Sequence, residues 1–553
     1  MKPLLALLFA LYAIIVSAVP AKRERCTLVL ADGTKVVATA MGDEVVHFYM
    51  TDDGKYMQTS DDGTAYFVEP EALHKRWQAK VAKRQSVRDR KRTARPQKSQ
   101  GTMTGSKRGL VILVQFTDVA FRYENADFQR LFNEEGYTDD INYGSVHDYF
   151  LDQSYGQFDF SFDVVGPITM NNPLSYYGKN NENGDDSYPA TMVIEAVQKV
   201  DSDVDFSQYD WDGDGVVEQI FLVHSGYDEA QNTRYKHYIW SHAWTLTEAL
   251  EEGDGDGPVT VDGVVVDSYA TSAELGGTTG TTTLSGIGTA CHEFSHCFGL
   301  PDFYDTVGSS FGMDTWSLMD YGCYNGDGGF PVGFTSYERM FCGWLQPEEL
   351  TTSATITDMP ALTSEPVAYI VRNSGKSDEY YLLENRQHES WDTDMRGHGM
   401  LILHVDYDET AWTENTVNTE RKHQRMTIVP ADNTLYSFSM AGDPWPGTSG
   451  NTELFDNSTP SWGLYNENAE GKKLMNHAIT KIAESEDGLI SFVFDDEALG
   501  IGPNGKWEMG DGKWTIENAQ CSMFNGPYNL SGLRLSKPTR GLFIQNGKKL
   551  LIR

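Results

Sequence analysis

Two histidines four residues apart are the part of the sequence best suited to chemistry. His292 and His296 lie in a stretch that we predict to be a helix. On a helix, residues i and i+4 share a face, and this separation lets two imidazoles bind one zinc ion. Glu293 directly follows the first histidine, so its carboxylate can accept a proton from a metal-bound water. The spacing predicts a zinc site for hydrolysis.

The third zinc ligand must come from the chain beyond this helix. Gly299 allows the chain to leave the helix in a left-handed conformation, and Pro301 prevents the helix from continuing. The resulting turn would carry Asp302 back under the metal as third ligand. Asp305 and Glu338 are the reserve candidates for this position.

A second motif about twenty residues after the helix supports the zinc site. The stretch 315–322 contains Met319 and, two residues later, Tyr321. It resembles the Met-turn that lies beneath the zinc in metzincins, with Met319 as an apolar floor. We expect Tyr321 to be a catalytic residue that can reach the metal or the oxyanion. The alternative is that both side chains belong to the core.

Together these motifs resemble the immune inhibitor A family of secreted bacterial metallopeptidases, whose zinc helix and turn read HExxHxxGxxD. The resemblance covers most of the chain, and three less specific stretches also match: 144–150, 153–156 and 341–345. It implies that His292, His296 and Asp302 bind zinc. It also implies that Glu293 is the catalytic acid/base and that the activity is hydrolysis of internal peptide bonds.

A second metal site is predicted from an acidic repeat. Asp210, Asp212 and Asp214 alternate with other residues ahead of a glycine, which is how an EF-hand calcium loop begins. Glu218 occupies the ninth position, but Phe221 replaces the bidentate glutamate expected at the twelfth. The missing glutamate argues against a complete EF-hand. A looser calcium site and a solvated acidic turn are the two alternatives.

The charge of the chain restricts its partners. The net charge is -36, yet residues 72–108 hold thirteen Lys and Arg side chains against the single acid Asp89. The remainder is therefore strongly acidic and would repel nucleic acid. The resemblance implies protein or peptide substrates instead. The six cysteines are too few for a disulfide scaffold in a chain of this length, so Cys323 and Cys342 are either a pair or free thiols.

The N-terminus has the features of an export signal. Lys2 precedes an apolar run over 4–16 and a small-residue cleavage site that ends at Ala18. The run is too short to span a bilayer comfortably, and we expect no transmembrane anchor. A protein exported in this way is secreted or lies at the cell surface. At the other end, residues 541–552 resemble the sorting tails of type IX secretion, or form an ordinary hairpin.

We predict an α+β protein in which a metzincin-like zinc peptidase domain follows a small propeptide and precedes a β-rich domain. The basic polar stretch at the end of the propeptide is the kind of segment where proteolytic processing concentrates. The expected organisation is signal peptide 1–18, propeptide with basic linker 19–107, catalytic domain 108–350, β-rich domain 351–496 and C-terminal tail 497–553.

The leading hypothesis is thus a secreted zinc endopeptidase made as a zymogen, with calcium as a second candidate cofactor. The alternative is a surface adhesin or binding protein that retains a relict metalloprotease fold. The intact Glu293 argues against it, because a site that only binds zinc does not need a general base. A metal-dependent esterase or amidase acting on small substrates is a third possibility.

Overall fold

The computed structural model describes residues 17–60, 62–92, 103–181, 184–233, 236–277, 280–306, 308 and 310–495, and four strands in the C-terminal tail. Helices are mixed with parallel and antiparallel sheets, so the protein is of the α+β class, as predicted. The first sixteen residues, which carry most of the predicted signal peptide, lie outside the described residues.

The N-terminal part of the chain forms a closed five-stranded barrel. Its strands are Arg25–Leu30, Lys35–Gly42, His47–Thr51, Tyr56–Thr59 and Thr64–Val68. Gly33 and Gly54 have φ values of 84° and 78°, the left-handed conformation that the tight turns between strands require. The barrel closes through parallel pairing of its first and last strands, and the helix Pro70–Arg92 follows.

A six-stranded sheet forms the centre of the molecule. In spatial order its strands are Ser17–Ala18, His242–Thr245, Ser268–Leu275, Ile220–Tyr227, Gly105–Gln115 and Phe158–Thr169. The last four strands are parallel to one another, whereas His242–Thr245 pairs antiparallel with Ser268–Leu275. The short strand Ser17–Ala18 pairs antiparallel with it at the sheet edge. The beginning of the described chain is therefore part of the central sheet.

Alternate residues of the central strands face two separate cores, because side chains in a strand point to opposite faces in turn. Val111 and Leu113 belong to the core on one face, while Leu110, Ile112 and Val114 belong to the core on the other. The main helices of this region and of the following chain are Asn125–Asn133, Val146–Gln153, Leu174–Gly178, Pro189–Val200, Leu246–Glu252, Gly288–Cys297, Ser336–Phe341 and Glu409–Thr413.

The chain from residue 348 to 495 is dominated by two sheets around a third core. The five-stranded sheet contains, in order, Glu348–Glu349, Tyr369–Arg372, Glu379–Arg386, Gly399–Asp406 and Met426–Ile428. The four-stranded sheet contains Ala354–Met359, Ile490–Asp495, Ala478–Glu484 and Leu454–Phe455. Loops between these strands reach the histidine-bearing region, as described below.

Short elements complete the described structure. Two-stranded ribbons pair Val259–Val261 with Val264–Val266, Trp507–Gly510 with Lys513–Ile516, and Gly541–Gln545 with Lys548–Ile552. Short 3₁₀ segments lie at Phe206–Tyr209, Asp314–Trp316, Ser390–Asp392 and Met440–Gly442, and a longer, kinked one at Tyr321–Gly328. Cys323 and Cys342 are free thiols and do not form a pair. Among the described helices, none is long and apolar enough to cross a membrane.

Candidate metal centre

The helix Gly288–Cys297, here called the histidine helix, is fixed against the central sheet. Phe294 stacks on Phe221 of the neighbouring strand, with ring centroids 4.5 Å apart. At the start of the helix, a Cβ on Gly288 would lie 1.9 Å from the carbonyl oxygen of Cys323, so only glycine permits this close approach. Phe294 thus fixes one face of the helix, and the two histidines project from another part of its circumference.

Three predicted ligands converge at the end of this helix. The Nε2 atoms of His292 and His296 lie 3.1 Å and 3.5 Å from Oδ1 of Asp302. All three side chains are buried, and these three atoms have no hydrogen-bond partner in the part of the chain that the structure describes. Buried polar atoms are normally paired, so three unpaired ones that face each other fit a bound cation. Two imidazoles and a carboxylate are a donor set suited to zinc.

The other polar atom of each ligand is held by the surrounding structure. His292 Nδ1 lies 2.8 Å from the carbonyl oxygen of Leu318, and His296 Nδ1 lies 2.8 Å from that of Leu300. A carbonyl can only accept, so the proton is on Nδ1 and the Nε2 lone pair faces the other ligands. Asp302 Oδ2 accepts a 2.6 Å hydrogen bond from the Asn415 side chain. All three predicted ligand side chains are therefore held in fixed orientations.

Burial sets the protonation of the centre. It lowers the pKa of His296 to about 4, although the Asp302 carboxylate opposes this shift. The imidazole is thus neutral at neutral pH, which is the form that binds metal. Burial also raises the pKa of the Glu293 carboxyl well above its ordinary value, and the negative charge of Asp302 adds to the increase.

Glu293 lies beside the ligands with one oxygen engaged and one unpaired. Its Oε1 accepts the backbone N–H of Val19 at 2.9 Å. Its Oε2 has no hydrogen-bond partner among the residues that the structure describes. A buried carboxylate with a free oxygen next to a metal-type donor set can accept a proton from a water molecule.

The predicted Met-turn packs under the histidine helix. Met319 is fully buried, and its carbonyl oxygen accepts the backbone N–H of Phe303 at 2.7 Å. Leu318, the residue before it, supplies the carbonyl that holds His292. The turn thus supports both a ligand and the segment that carries Asp302.

Tyr321 is buried beside the centre and is engaged by the N-terminal part of the chain. The Arg23 guanidinium carbon lies 3.6 Å from the centroid of its ring. Burial raises the pKa of Tyr321 to about 12, so its hydroxyl stays protonated and able to donate. A second tyrosine, Tyr304, donates its hydroxyl to the carbonyl oxygen of Ala18 at 2.6 Å.

The segment Ser17–Arg23, called the N-terminal segment below, runs across this centre. Beyond the contacts of Ala18 and Val19 described above, the Trp240 indole N–H donates to the carbonyl oxygen of Val19 at 3.1 Å. The Tyr324 hydroxyl donates to the carbonyl oxygen of Pro20 at 2.8 Å. Side chains around the centre therefore bind the backbone of this segment, as a protease binds a peptide.

The reserve ligands are occupied elsewhere. Glu338 caps its own short helix and accepts hydrogen bonds from Ser317 and Thr335. Asp305 accepts the backbone N–H of Ser310 at 3.0 Å.

The predicted calcium residues lie together only in part. Asp210, Asp212 and Glu218 form a cluster whose oxygens lie within 4.8 Å of one another. The Asp214 carboxylate is not part of the cluster and accepts the N–H of Val216 at 2.9 Å. The cluster oxygens are also used by the loop itself, since Asp210 accepts backbone N–H groups of the same turn.

Two residues at the centre were not identified from the sequence. Asn415, which holds Asp302, lies 113 residues further along the chain, in the β-rich part. Tyr304 follows Asp302 by two positions, and this proximity is the one signal that could have drawn attention to it.

The arrangement of two helical histidines, an aspartate and an adjacent glutamate fits a metallohydrolase-type centre. Comparison with known proteins points to the same chemistry. Residues 99–345 match the model of the immune inhibitor A peptidase M6 catalytic domain. The matched region includes the three predicted ligands and Glu293.

Two relatives extend the comparison. The chain is 27% identical to immune inhibitor A of Bacillus thuringiensis subsp. alesti over 470 residues, which cover 75% of this chain and 61% of the relative. It is 26% identical to the pre-pro-metalloprotease PrtV of Vibrio cholerae serotype O1 over 263 residues, which cover 42% of this chain and 28% of the relative. The aligned region thus spans about three-fifths of the first relative and less than a third of the second.

Proposed function

We propose that the protein is a zinc-dependent endopeptidase that hydrolyses internal peptide bonds of proteins. The observation that carries this proposal is the set of three unpaired, buried donor atoms of His292, His296 and Asp302 next to the free oxygen of Glu293. The peptidase domain match and the metalloprotease relatives favour an enzyme over the adhesin alternative.

Zinc held by these ligands would polarise the substrate carbonyl and lower the pKa of a bound water. The side chains supply the proton transfers. Glu293 accepts the proton of the attacking water and passes it to the nitrogen of the leaving amine. The contact between Glu293 and the peptide N–H of Val19 supports this role, because a peptide nitrogen reaches hydrogen-bond distance there.

Stabilisation of the oxyanion is assigned to tyrosine hydroxyls. Tyr304 donates to the carbonyl of Ala18, which belongs to the same peptide bond as the N–H that meets Glu293. One peptide group thus contacts the proposed acid/base and a hydroxyl donor at once. We assign Tyr304 and Tyr321 to this role, because protonated buried hydroxyls can donate to developing negative charge.

The position of the N-terminal segment supports synthesis as an exported zymogen. Residues 19–107 would form the propeptide, and residues 19–23 at its start would block the centre until processing. In this proposal residues 1–18 are the signal peptide, and 108–350 and 351–496 are the metzincin-like catalytic and β-rich domains. Residues 497–553 form a tail that directs sorting, and calcium binds the acidic cluster.

The test is the substitution Glu293→Gln, assayed by casein hydrolysis and zinc analysis. We expect bound zinc to stay near one per chain while proteolysis is lost. Glu195→Gln is the matched control and should retain activity. It changes a carboxylate on the helix Pro189–Val200, which packs in the core on the opposite face of the central sheet. Cleavage of casein by the Glu293→Gln variant would refute the assignment. If the zinc-loaded, processed wild type cleaves no protein, the adhesin alternative is favoured. If it cleaves small esters but no protein, the esterase alternative is favoured.

A further inference from the structure

Arg23 places its guanidinium in an acidic pocket beside the centre. The pocket, called the arginine pocket below, consists of Asp314, Tyr321 and Ser437. Nη1 of Arg23 forms an ion pair with Asp314 and donates to the Ser437 hydroxyl at 2.7 Å. The guanidinium stacks on Tyr321 at 3.6 Å from the ring centroid. The Arg23 side chain thus contacts a carboxylate, a hydroxyl and an aromatic ring at the same time.

The pocket is built by residues other than Arg23. The Asp314 side chain is 1% exposed, and its Oδ1 accepts the backbone N–H of Thr315 at 2.9 Å. Ser437 donates its hydroxyl to Asp314 Oδ2 at 2.5 Å. Asp320 is fully buried and accepts the backbone N–H groups of Met313 and Asp314 at 2.9 and 2.8 Å. These contacts hold the two carboxylates in place whether or not an arginine is bound.

Removal of the N-terminal segment would leave this pocket with unbalanced negative charge. Arg23 is the cation that forms an ion pair with Asp314 in the described structure. A buried carboxylate that loses its partner is strongly unfavourable, so the vacated pocket would bind another cationic side chain. The neighbouring pair of Lys22 and Asp327 differs, because the Asp327 side chain is 80% exposed and water can replace the lysine.

The pocket lies along the path of a bound peptide. Arg23 follows Val19, whose N–H meets Glu293, by four residues, and side chains of the centre contact the backbone between them. The β-rich part completes the pocket through Ser437. On either side of Ser437, Tyr436 and Phe438 stack on each other at 5.2 Å and are 54% and 84% exposed. Exposed aromatic rings at the rim of a buried pocket are typical of a binding surface.

We propose that the arginine pocket is a substrate subsite that binds an arginine side chain on the C-terminal side of the cleaved bond. This inference rests on the proposed peptidase function. Arginine fits better than lysine, because its planar group can stack on Tyr321 and donate to two acceptors at once. The β-rich part then contributes directly to specificity through Ser437.

The test uses the active enzyme obtained from the full chain and a set of quenched peptides. A single arginine is moved along the positions after the cleaved bond, and citrulline, its neutral isostere, replaces it in a matched set. We expect kcat/KM to favour arginine over citrulline at one position by about tenfold or more. Asp314→Asn should reduce this ratio to about onefold to twofold, whereas Asp327→Asn, the exposed control, should leave it unchanged.

The outcomes separate the two proposals. Equal cleavage of both peptide sets at every position overturns the subsite but leaves the peptidase function intact. Failure to cleave any peptide or protein overturns the peptidase function itself. Ser437→Ala gives a second test in case Asp314→Asn does not fold, and it should lower the arginine preference without changing zinc content.

A binding measurement on the full chain is independent of activity. Arg23→Ala empties the pocket, and L-arginine amide should then raise the Tm of the variant. Citrulline amide should not, and neither probe should stabilise the Arg23→Ala/Asp314→Asn double variant. Equal stabilisation by the two amides, or stabilisation by neither, would contradict the subsite.

Discussion

Two carboxylate-bearing regions of the molecule differ in what their oxygens do. At the histidine helix, Asp302 is buried, one of its oxygens is held by Asn415 and the other has no hydrogen-bond partner in the described structure. In the acidic loop, the Asp210 carboxylate is partly exposed and caps backbone N–H groups of its own turn. Desolvated donors with unused lone pairs fit a bound cation, whereas satisfied and solvated ones do not need one.

The comparison indicates that carboxylate density is a poor guide to metal dependence. The acidic loop has more carboxylates, yet its hydrogen bonds give it a defined shape without an ion. At the centre, the facing donor atoms of His292, His296 and Asp302 have no hydrogen-bond partner in the described structure, which fits a bound cation. We therefore expect substitutions at the centre to reduce metal binding and proteolysis much more than substitutions in the acidic loop.

The largest effect is expected for Asp302→Ala, which removes the only carboxylate ligand of the proposed zinc. Zinc affinity should fall by more than about 100-fold, which exceeds the effect of losing a residue that only hydrogen-bonds to a metal ligand. Proteolysis should be lost. Isothermal titration with zinc and a casein assay measure the two quantities. Asp305→Asn alters a carboxylate three residues away and is the control. Unchanged zinc affinity in the Asp302 variant would place the metal elsewhere.

A smaller effect is expected for Asn415→Ala, because this side chain orients Asp302 without contacting the metal. Zinc affinity should fall by about 10-fold to 100-fold, while activity at saturating zinc is largely restored. Activity measured against free zinc concentration separates this behaviour from a folding defect. An activity loss that no zinc concentration restores would show that Asn415 does more than orient the ligand.

The smallest effect is expected for Asp210→Asn in the acidic loop. If calcium binds there, a calcium-selective chelator should lower the Tm of the wild type by only about 2–4 °C. The variant should lose this response, with zinc content and proteolysis unchanged. Thermal unfolding with zinc held constant measures it. A large loss of activity after calcium removal would mean that the loop supports the centre, contrary to the comparison.

The sequence predicted the parts of the centre that are local in the chain. The spacing of His292, His296 and Asp302 follows from one helix and one turn, so helical geometry was sufficient to bring them together. The α+β class followed from alternating strand and helix patterns. These features depend on neighbours in sequence, which periodicity and turn residues encode.

Contacts between distant segments were not predictable in this way. Asn415 reaches Asp302 from 113 residues away, and Arg23 reaches Asp314 from 291 residues away. The N-terminal segment joins the central sheet through the pairing of only two residues, Ser17 and Ala18, at the sheet edge. Two residues are too few to show the alternation that predicts a strand. Such contacts arise from tertiary packing, and a single sequence contains no periodic signal for them.

The central claim is that the buried ligands, and not the acidic loop, bind zinc. Anomalous diffraction at the zinc absorption edge from crystals of the full chain tests it most directly. We expect one strong peak at about 2 Å from the Nε2 atoms of His292 and His296 and from the Asp302 carboxylate. No peak at this position, or a stronger peak between Asp210 and Glu218, would contradict the account.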